Sequence, residues 1–476
     1  MLFDAPVTVK TNHNGKMIFT PNAIRIWQTA NLTMSIFTVG LCVGVYGGTL
    51  LDLAEVYETH VDSVVYILSS RSAGSIAGCL IAGSVFRRCN IQLVVLTNAF
   101  VGGLCLAIVP ICSSVLICHI ICFCLGFTIG FLEVGCNVWL ITIWKDRAAA
   151  ILQFYHFMFG VGAMLAPFGA EPFLGRRHEL SSRHLAENAE SATVDSVFNY
   201  TVRSLDFQLD STDLKDFISD SRIYIPFALF GALYATAGIL MFMSYLVDSS
   251  DIRQNEETTS SYRKVSAQVE LIIIIGMCIY VMLGVANEQN YASMISVYVI
   301  RSLGFSKSSG AFLVSVFWGA FTLSRIVATG MSIKMDPMTM FYSSHVLVML
   351  ATIALTMFPR TEWVIWSMSA LYAFGLSPFF GNVCAWALQY LFLNHSYMAA
   401  ITIFVCIGAM MPPIIIGPFI EKYPIALMYS NIALSSLMTA TAIGFIVLGQ
   451  YIGKPMNTMS ESHKKYDLVG SINTDT

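Results

Sequence analysis

Charged side chains are scarce in this sequence, and their scarcity excludes most classes of soluble protein. Only 12% of the 476 residues are Asp, Glu, Lys or Arg, whereas 56% are hydrophobic, and the mean hydropathy is +0.68. This balance lies outside the range of soluble globular domains and is typical of proteins that cross the membrane many times. We therefore expect an all-α membrane protein.

Several functional motifs are also missing. The sequence has no phosphate-binding Gly-rich loop, no metal-ligand cluster and no nucleophile motif, so we expect neither an enzyme nor a resident cofactor or metal. His119 and Cys122 have a His-x-x-Cys spacing, but packing as small hydrophobic groups is the favoured interpretation. The 12 cysteines, from Cys42 to Cys406, avoid the long polar loop, so no disulfide framework is expected. The polar first 25 residues do not resemble a cleavable signal.

Twelve apolar segments are long enough to cross a bilayer. We place them near residues 29–51, 61–86, 93–111, 115–143, 149–173, 223–247, 269–294, 309–333, 338–358, 363–392, 398–420 and 426–450. The predicted organisation is a tail (1–28), a six-helix half (29–247) with a polar loop (175–221), a linker (248–268), a second six-helix half (269–450) and a tail (451–476).

The distribution of Lys and Arg predicts the orientation. The N-terminal tail and the loops on its side of the first half, together with the linker, hold ten Lys and Arg, while the two short loops opposite hold none. We therefore expect both termini in the cytoplasm, at the plasma membrane, with loop 175–221 outside. That loop contains Asn199, an N-glycosylation acceptor. Four cations of the second half lie on the presumed outer side against this rule: Arg301, Lys307, Arg360 and Lys422.

An internal repeat supports the division into two halves. The run Gly162–Pro167 is followed by Pro-Phe at the same distance as the run Gly408–Pro413, and six of the twelve aligned positions are identical. The two copies lie in the fifth and eleventh spans. Two parallel six-helix halves are the arrangement of the major facilitator fold, which binds its substrate near the midplane between the halves.

Polar groups inside the spans mark the candidate site. Glu133 and Asn137 are four residues apart, and Gln153 and His156 three apart, so each pair shares a helical face. Arg71 lies within the second span, where a charge costs about 3 kcal/mol, so we expect it to have a carboxylate partner. Binding of a proton or Na⁺ to Glu133 would bias the two states of the bundle. A permanent ion pair of Glu133 with Arg71 or Arg325 is the alternative.

Asp52 is the second candidate for cation coupling. It lies with Glu55 on one face at the end of the first span, where backbone carbonyls would complete a Na⁺ site. The alternative is an acidic cap at the membrane interface. Arg325, near the inner end of the eighth span, is predicted to gate the site or to pair between helices.

For the solute, the amide and imidazole groups of Asn137, Gln153 and His156 match sugar hydroxyls. The second half adds a polar cluster late in the seventh span and a pair in the tenth: Asn287, Glu288, Gln289 and Asn290, then Trp386 and Gln389. Trp386 would stack on a pyranose ring or serve only packing. Gln289 and Asn290 would contact the solute or simply end their span.

Five sequence runs carry a resemblance to a known family. They are GGTLLDLAE in span 1, SSRSAGSIAG in span 2, LEVGCNVWL in span 4, LQFYHFMFGVGAMLAP in span 5 and FWGAFTLSRI in span 8. Through these runs the chain resembles the sodium-dependent glucose transporter-like group of the major facilitator superfamily. This group is also called major facilitator superfamily domain-containing protein 4. LEVGCN is more distantly similar to the fucose:proton symporters, which have a functional Glu at the position of Glu133. The usual loop signature is degenerate in GSVFRRCN, and the signatures of facilitative glucose transporters are missing.

The resemblance implies a secondary transporter that couples entry of a cation, Na⁺ before H⁺, to uptake of glucose or a similar hexose. It implies a monomer in the lipid bilayer that binds a small solute and no nucleic acid. Two alternatives stay open: a proton-coupled symporter of another small polar solute, and a non-transporting membrane sensor on the same fold.

Overall fold

A computed structural model describes most of the membrane part of the chain. The described residues are 9–11, 17–19, 21–144, 148–175, 221–249, 265–331, 334–335, 337–391, 393 and 395–453. Asn199 and most of its loop, most of the linker and nearly all of the C-terminal tail lie outside them.

Fourteen α-helices are present in the described residues. They are α1 (Pro21–Val56), α2 (Val61–Phe86), α3 (Ile91–Ile108), α4 (Val115–Trp144), α5 (Ala148–Ala170), α6 (Tyr224–Val247), α7 (Ala267–Leu303), α8 (Lys307–Met331), α9 (Pro337–Met357), α10 (Glu362–Leu376), α11 (Phe379–Ala387), α12 (His395–Ile415), α13 (Gly417–Ile420) and α14 (Ala426–Ile452). Short 3₁₀ turns extend α3 and α5, at Val109–Ile111 and Glu171–Phe173. Near the N-terminus, β1 (Val9–Thr11) pairs antiparallel with β2 (Met17–Phe19).

The prediction of twelve membrane helices is confirmed. Within the described ranges, 12 helical stretches are long and apolar enough to cross a bilayer. One of these spans consists of α10 and α11, and another of α12 and α13. The tenth span is broken at Pro378, which has no backbone N–H with which to continue the helical hydrogen bonds.

The seventh span is longer than predicted. We expected it to end near residue 294, but α7 continues to Leu303 and ends at Gly304, which has a positive φ of 71°. The interpretation that Gln289 and Asn290 end the span is therefore wrong. The helix tolerates these polar side chains in its middle because neighbouring side chains accept from them: the Asn290 amide donates to Ser430 and Asn431 at 2.8 and 2.7 Å.

The two halves use the same helix pairs. In the first half α1 packs on α5, α2 on α4 and α3 on α6; in the second α7 packs on α12, α8 on α10 and α9 on α14. The repeated glycines have equivalent roles in this arrangement. A Cβ on Gly162 of α5 would overlap the carbonyl oxygen of Phe37 in α1, and one on Gly408 of α12 would overlap that of Met282 in α7.

Two symmetric seams join the halves. Along one, α5 packs on α8; along the other, α12 packs on α2. Near the first seam, α1 and α7 also approach closely, since a Cβ on Gly47 would overlap the carbonyl oxygen of Ala292. Any group at these seams contacts both halves, so its contacts change when the halves move relative to each other.

Candidate functional site

The first polar centre lies where α2, α4 and α12 meet, and close packing of α2 on α4 creates it. A Cβ on Gly126 would overlap the carbonyl oxygen of Arg71, and one on Gly74 would overlap that of Phe123. Glu133 follows Gly126 by seven residues, about two helical turns, and therefore projects from the same face of α4 toward α2.

Two thiols surround the Glu133 carboxylate. The Sγ atoms of Cys79 in α2 and Cys406 in α12 and a carboxylate oxygen of Glu133 all lie within 4.8 Å of one another. The Cys79 thiol also donates to the Gly130 carbonyl at 3.6 Å. Glu133 is half-buried and Cys406 is buried, so a membrane carboxylate sits here at the seam between the halves. We call Arg71, Cys79, Glu133 and Cys406 the α2–α12 centre.

Arg71 lies near this carboxylate without bonding to it. Its guanidinium group is buried and stands over the Tyr46 ring, 5.4 Å from the ring centroid, and interacts electrostatically with Glu133. Among the described residues it forms no salt bridge, and its Nη1 atom has no hydrogen-bond partner. The carboxylate partner expected for Arg71 is thus not in direct contact with it. Arg71 holds a positive charge beside Glu133, whose carboxylate has no ion pair among the described residues.

The second polar centre lies at the other seam, around α5, α7 and α8. Arg325 of α8 donates from Nη1 to the backbone carbonyl of His156 in α5 at 2.8 Å and stands over the Phe321 ring at 5.0 Å. Glu288 of α7 is buried and interacts electrostatically with Arg325; its Oε1 accepts from Gln289 at 3.1 Å. We call His156, Glu288, Gln289 and Arg325 the α5–α8 centre. The predicted Glu133–Arg325 ion pair does not form, because the two residues belong to opposite seams.

Asn137 and Gln153 differ in how available they are to a solute. The Asn137 amide donates to the backbone carbonyl of Glu133 at 2.6 Å, so it is partly occupied within its own helix. Gln153 is exposed. It lies seven residues before Gly160, whose contact with Thr322 marks the side of α5 that faces α8.

Asn287, predicted to bind solute, is a buried packing hub. Its Oδ1 accepts from Tyr372 and Ser435, both at 2.9 Å, and its amide donates to the Leu283 carbonyl at 3.0 Å. These bonds join α7 to α10 and α14 and leave little capacity for a ligand. The sequence interpretation of Asn287 as a solute-binding group therefore conflicts with its environment.

Trp386 and Gln389 do not form the predicted helical pair. Trp386 is buried against α14, with its ring 4.8 Å from Phe445, and packs on Tyr390 at 5.0 Å. Because α11 ends at Ala387, Gln389 lies in the turn that follows. Of the two roles considered for Trp386, packing fits its surroundings.

Asp52 belongs to a third group, at the membrane end where α1 ends and α2 begins. It is buried, its Oδ1 accepts from the Gly175 N–H at 2.7 Å and from Ser221 at 2.8 Å, and it lies 3.3 Å from the Lys307 ammonium group. Lys307 also pairs with Glu55 at 2.7 Å. Since a lysine of the second half occupies this carboxylate, the arrangement argues against Asp52 as a Na⁺ ligand.

A second ion pair closes the same end. Arg301, at the end of α7, pairs with Glu421 at 2.8 Å, and Glu421 accepts from the Val61 N–H at 3.1 Å. The bond from Val61 connects the two halves, whereas Arg301 and Glu421 both belong to the second half. We call Asp52, Glu55, Arg301, Lys307 and Glu421 the latch. The sequence had a signal for it: Arg301 and Lys307 were two of the four cations on the unexpected side, and each is neutralised by an acid of the same end.

Other polar groups were missed or have different roles. No sequence spacing pointed to Cys79 or Cys406, because their proximity depends on contact between the halves. His345 of α9 is buried between Tyr280 at 3.0 Å and Thr439 at 3.1 Å, a network within the second half. His119 forms a hydrogen bond with Ser70 at 2.7 Å, and this contact does not involve Cys122.

Comparison with known proteins agrees with this architecture. Residues 217–413 match the profile of the Major Facilitator Superfamily. The chain is 25% identical over 441 residues to sodium-dependent glucose transporter 1 of Homo sapiens, covering 91% of this chain and 81% of the relative. It is 23% identical over 443 residues to major facilitator superfamily domain-containing protein 4A of Xenopus tropicalis, covering 84% and 88%. The solved structure of the transporter FucP in the outward conformation is similar in fold, with a TM-score of 0.59 at 11% identity over 90% of this chain and 99% of that one.

Proposed function

We propose that the chain is a transporter of the major facilitator superfamily and a cation-coupled symporter of glucose or a similar hexose, as its family match and its relatives support. Transport would proceed by alternating access, with the solute between the halves and the latch closing one end. The names of its relatives, sodium-dependent glucose transporter 1, support the hexose and the coupling.

The position of Glu133 is the observation that supports cation coupling. It is a half-buried carboxylate within the membrane, it has no salt bridge among the described residues, and its neighbours come from both halves. A charge in such a place is unfavourable, so a bound cation stabilises it. Because the surroundings of Glu133 change when α2 and α12 separate, cation binding favours one state of the bundle over the other.

The neighbours of Glu133 favour a proton as the coupling ion. Na⁺ prefers several hard oxygen ligands, whereas two thiols lie beside this carboxylate. The similar fold of a fucose:proton symporter is compatible with protonation, while the relatives' names support Na⁺. We propose H⁺ at Glu133, with Na⁺ as the competing candidate.

The α5–α8 centre is the proposed solute site. His156 and Gln289 offer neutral donors and acceptors for sugar hydroxyls, as does Gln153 on the side of α5 that faces α8, and Glu288 with Arg325 adds charged hydrogen bonds. Because Glu288 and Arg325 carry opposite charges without a direct ion pair among the described residues, a zwitterionic or otherwise polar small solute is the second candidate.

Uptake into proteoliposomes tests this proposal. Radiolabelled glucose is offered with a proton gradient, a Na⁺ gradient or neither, each with a membrane potential of defined sign. One cation moving through 100 mV supplies about 2.3 kcal/mol, which supports roughly a fortyfold to fiftyfold accumulation. Proton-driven accumulation supports the proposal; accumulation with Na⁺ alone retains the symporter but replaces its ion. Absence of saturable flux for every small polar solute offered would favour a sensor.

The proposed location is the plasma membrane, with both termini cytoplasmic and the latch end outside. The ten Lys and Arg at the opposite side of the first half and linker support this orientation. A glycosidase-sensitive shift in mobility that disappears in Asn199→Gln would support it. A protease-accessible C-terminal tail on intact cells would contradict it.

A further inference from the structure

We propose that Cys79, Glu133 and Cys406 form a Zn²⁺ site that bridges the two halves. Their three ligand atoms already lie within 4.8 Å of one another, and the Cys79 thiol bonds to the Gly130 carbonyl and to the Cys406 thiol, its partner in the proposed site. In a tetrahedral zinc site with Zn–S bonds of about 2.3 Å, two sulfur atoms stand roughly 3.8 Å apart. Side-chain rotations that move the sulfur atoms by about an ångström are therefore enough to assemble the site.

The ligand chemistry and the charge both suit zinc. Thiolates and a carboxylate are ordinary Zn²⁺ ligands, and water or another small ligand would take the fourth position. Both thiols release their protons to the solvent when the metal binds. Zn²⁺ with two thiolates and one carboxylate has a net charge of −1, and the buried guanidinium of Arg71, which interacts electrostatically with Glu133 and Cys406, offsets that charge.

The consequence of binding follows from the origin of the ligands. Cys79 and Glu133 belong to the first half and Cys406 to the second, so the metal ties α2 and α4 to α12 at the seam. A tied seam cannot open, and Zn²⁺ also occupies the carboxylate that would take the coupling cation. Inhibition of transport by Zn²⁺ rests on the proposed function, whereas binding of Zn²⁺ does not.

The chain offers a matched control pair. Cys118 and Cys122 are buried one turn apart in α4, and their Sγ atoms lie 4.0 Å from each other. They lie on one helix of one half, so a metal held there would not join the halves. Removing either thiol takes one cysteine from a membrane helix, as removing Cys79 or Cys406 does.

The first experiment measures Zn²⁺ binding to the reduced full-length protein in detergent, by equilibrium titration and by the shift in melting temperature. We expect one tight Zn²⁺ per chain, with the affinity lowered about a hundredfold or more in Cys79→Ser and in Cys406→Ser. Cys118→Ser and Cys122→Ser should bind as the unaltered protein does. Cys79→His, which keeps a zinc ligand, should restore binding and the thermal shift, so that a folding defect is not mistaken for a lost ligand.

Unchanged tight binding in both Cys79→Ser and Cys406→Ser would overturn the site, as would loss of binding in Cys118→Ser alone. In proteoliposomes, micromolar Zn²⁺ should stop flux through the unaltered protein and spare Cys406→Ser. Should no solute flux be found at all, the titration still decides whether the site exists, so the two proposals fail separately.

Discussion

The latch and the α2–α12 centre both contain acidic and basic side chains. At the latch these side chains form direct ion pairs, whereas among the described residues of the α2–α12 centre they do not. At the latch, Lys307 of the second half bonds directly to Asp52 and Glu55 of the first, and Arg301 pairs with Glu421 within the second half. At the α2–α12 centre, an arginine and a glutamate interact only at longer range. The difference separates two uses of charge in a transporter. In the proposed mechanism, the paired acids of the latch hold one state closed, while Glu133 takes the coupling cation.

Neutralising Glu133 should have the largest effect and tests the α2–α12 centre. In Glu133→Gln the coupling cation has no site, so accumulation against a gradient of about fortyfold should fall to simple equilibration, while counterflow of solute persists. Glu270→Gln, which alters an acid that accepts from Tyr397 at 2.7 Å at the start of α7, is the control and should still accumulate solute. Uphill transport retained in Glu133→Gln would remove Glu133 from the mechanism.

Lys307→Ala should have the next largest effect and tests the ion pairs of the latch. Asp52 is 1% exposed and Lys307 16% exposed, and loss of one partner of a buried pair costs about 3–5 kcal/mol in the state that buries it. The closed latch should therefore be depopulated, which increases labelling of a cysteine introduced beside Gly175. Arg360→Ala, an exposed cation near the same end, should leave labelling unchanged.

The double variant Lys307→Ala with Asp52→Asn sharpens that result. If the cost in Lys307→Ala comes from an uncompensated buried carboxylate, removing that charge as well should recover part of the closed population. Labelling as high in the double variant as in the single one would show that Lys307 acts through its contact with Glu55 instead.

Glu421→Gln should have the smallest effect. The side chains of Arg301 and Glu421 are 37% and 26% exposed, and ion pairs with this much solvent contribute only about 0–1 kcal/mol. We expect a small increase in labelling that disappears at high salt, because ions screen exposed pairs more than buried ones. An effect as large as that of Lys307→Ala, unaffected by salt, would mean that the two pairs do not differ.

The fold was largely predictable, because each membrane span can be recognised from the length of its own apolar run. Twelve spans and the repeat at Gly162 and Gly408 follow from local sequence alone. The bounds failed where tertiary contacts decide them. Partners on α14 keep Asn290 inside α7, and the predicted tenth span breaks before Pro378.

The site was only partly predictable. The sequence singled out Glu133, His156 and Arg325 because polar groups are rare in membrane helices, and the structure places all three at the seams between the halves. The roles of Asn287 and Trp386 were not predictable, since hydrogen bonds to Tyr372 and packing on Phe445 come from other helices. Cys79 and Cys406 carried no signal, because thiols are ordinary in apolar segments and only the contact between halves brings them together.

The latch has a further consequence for a chain divided between its halves. Asp52 and Lys307 would then belong to separate polypeptides, each with a charge whose partner lies on the other. Such fragments, synthesised together in one cell, would carry complementary recognition elements and should reassemble. Synthesised alone, either fragment would lack the counter-charge, and we expect cellular quality control to degrade it sooner.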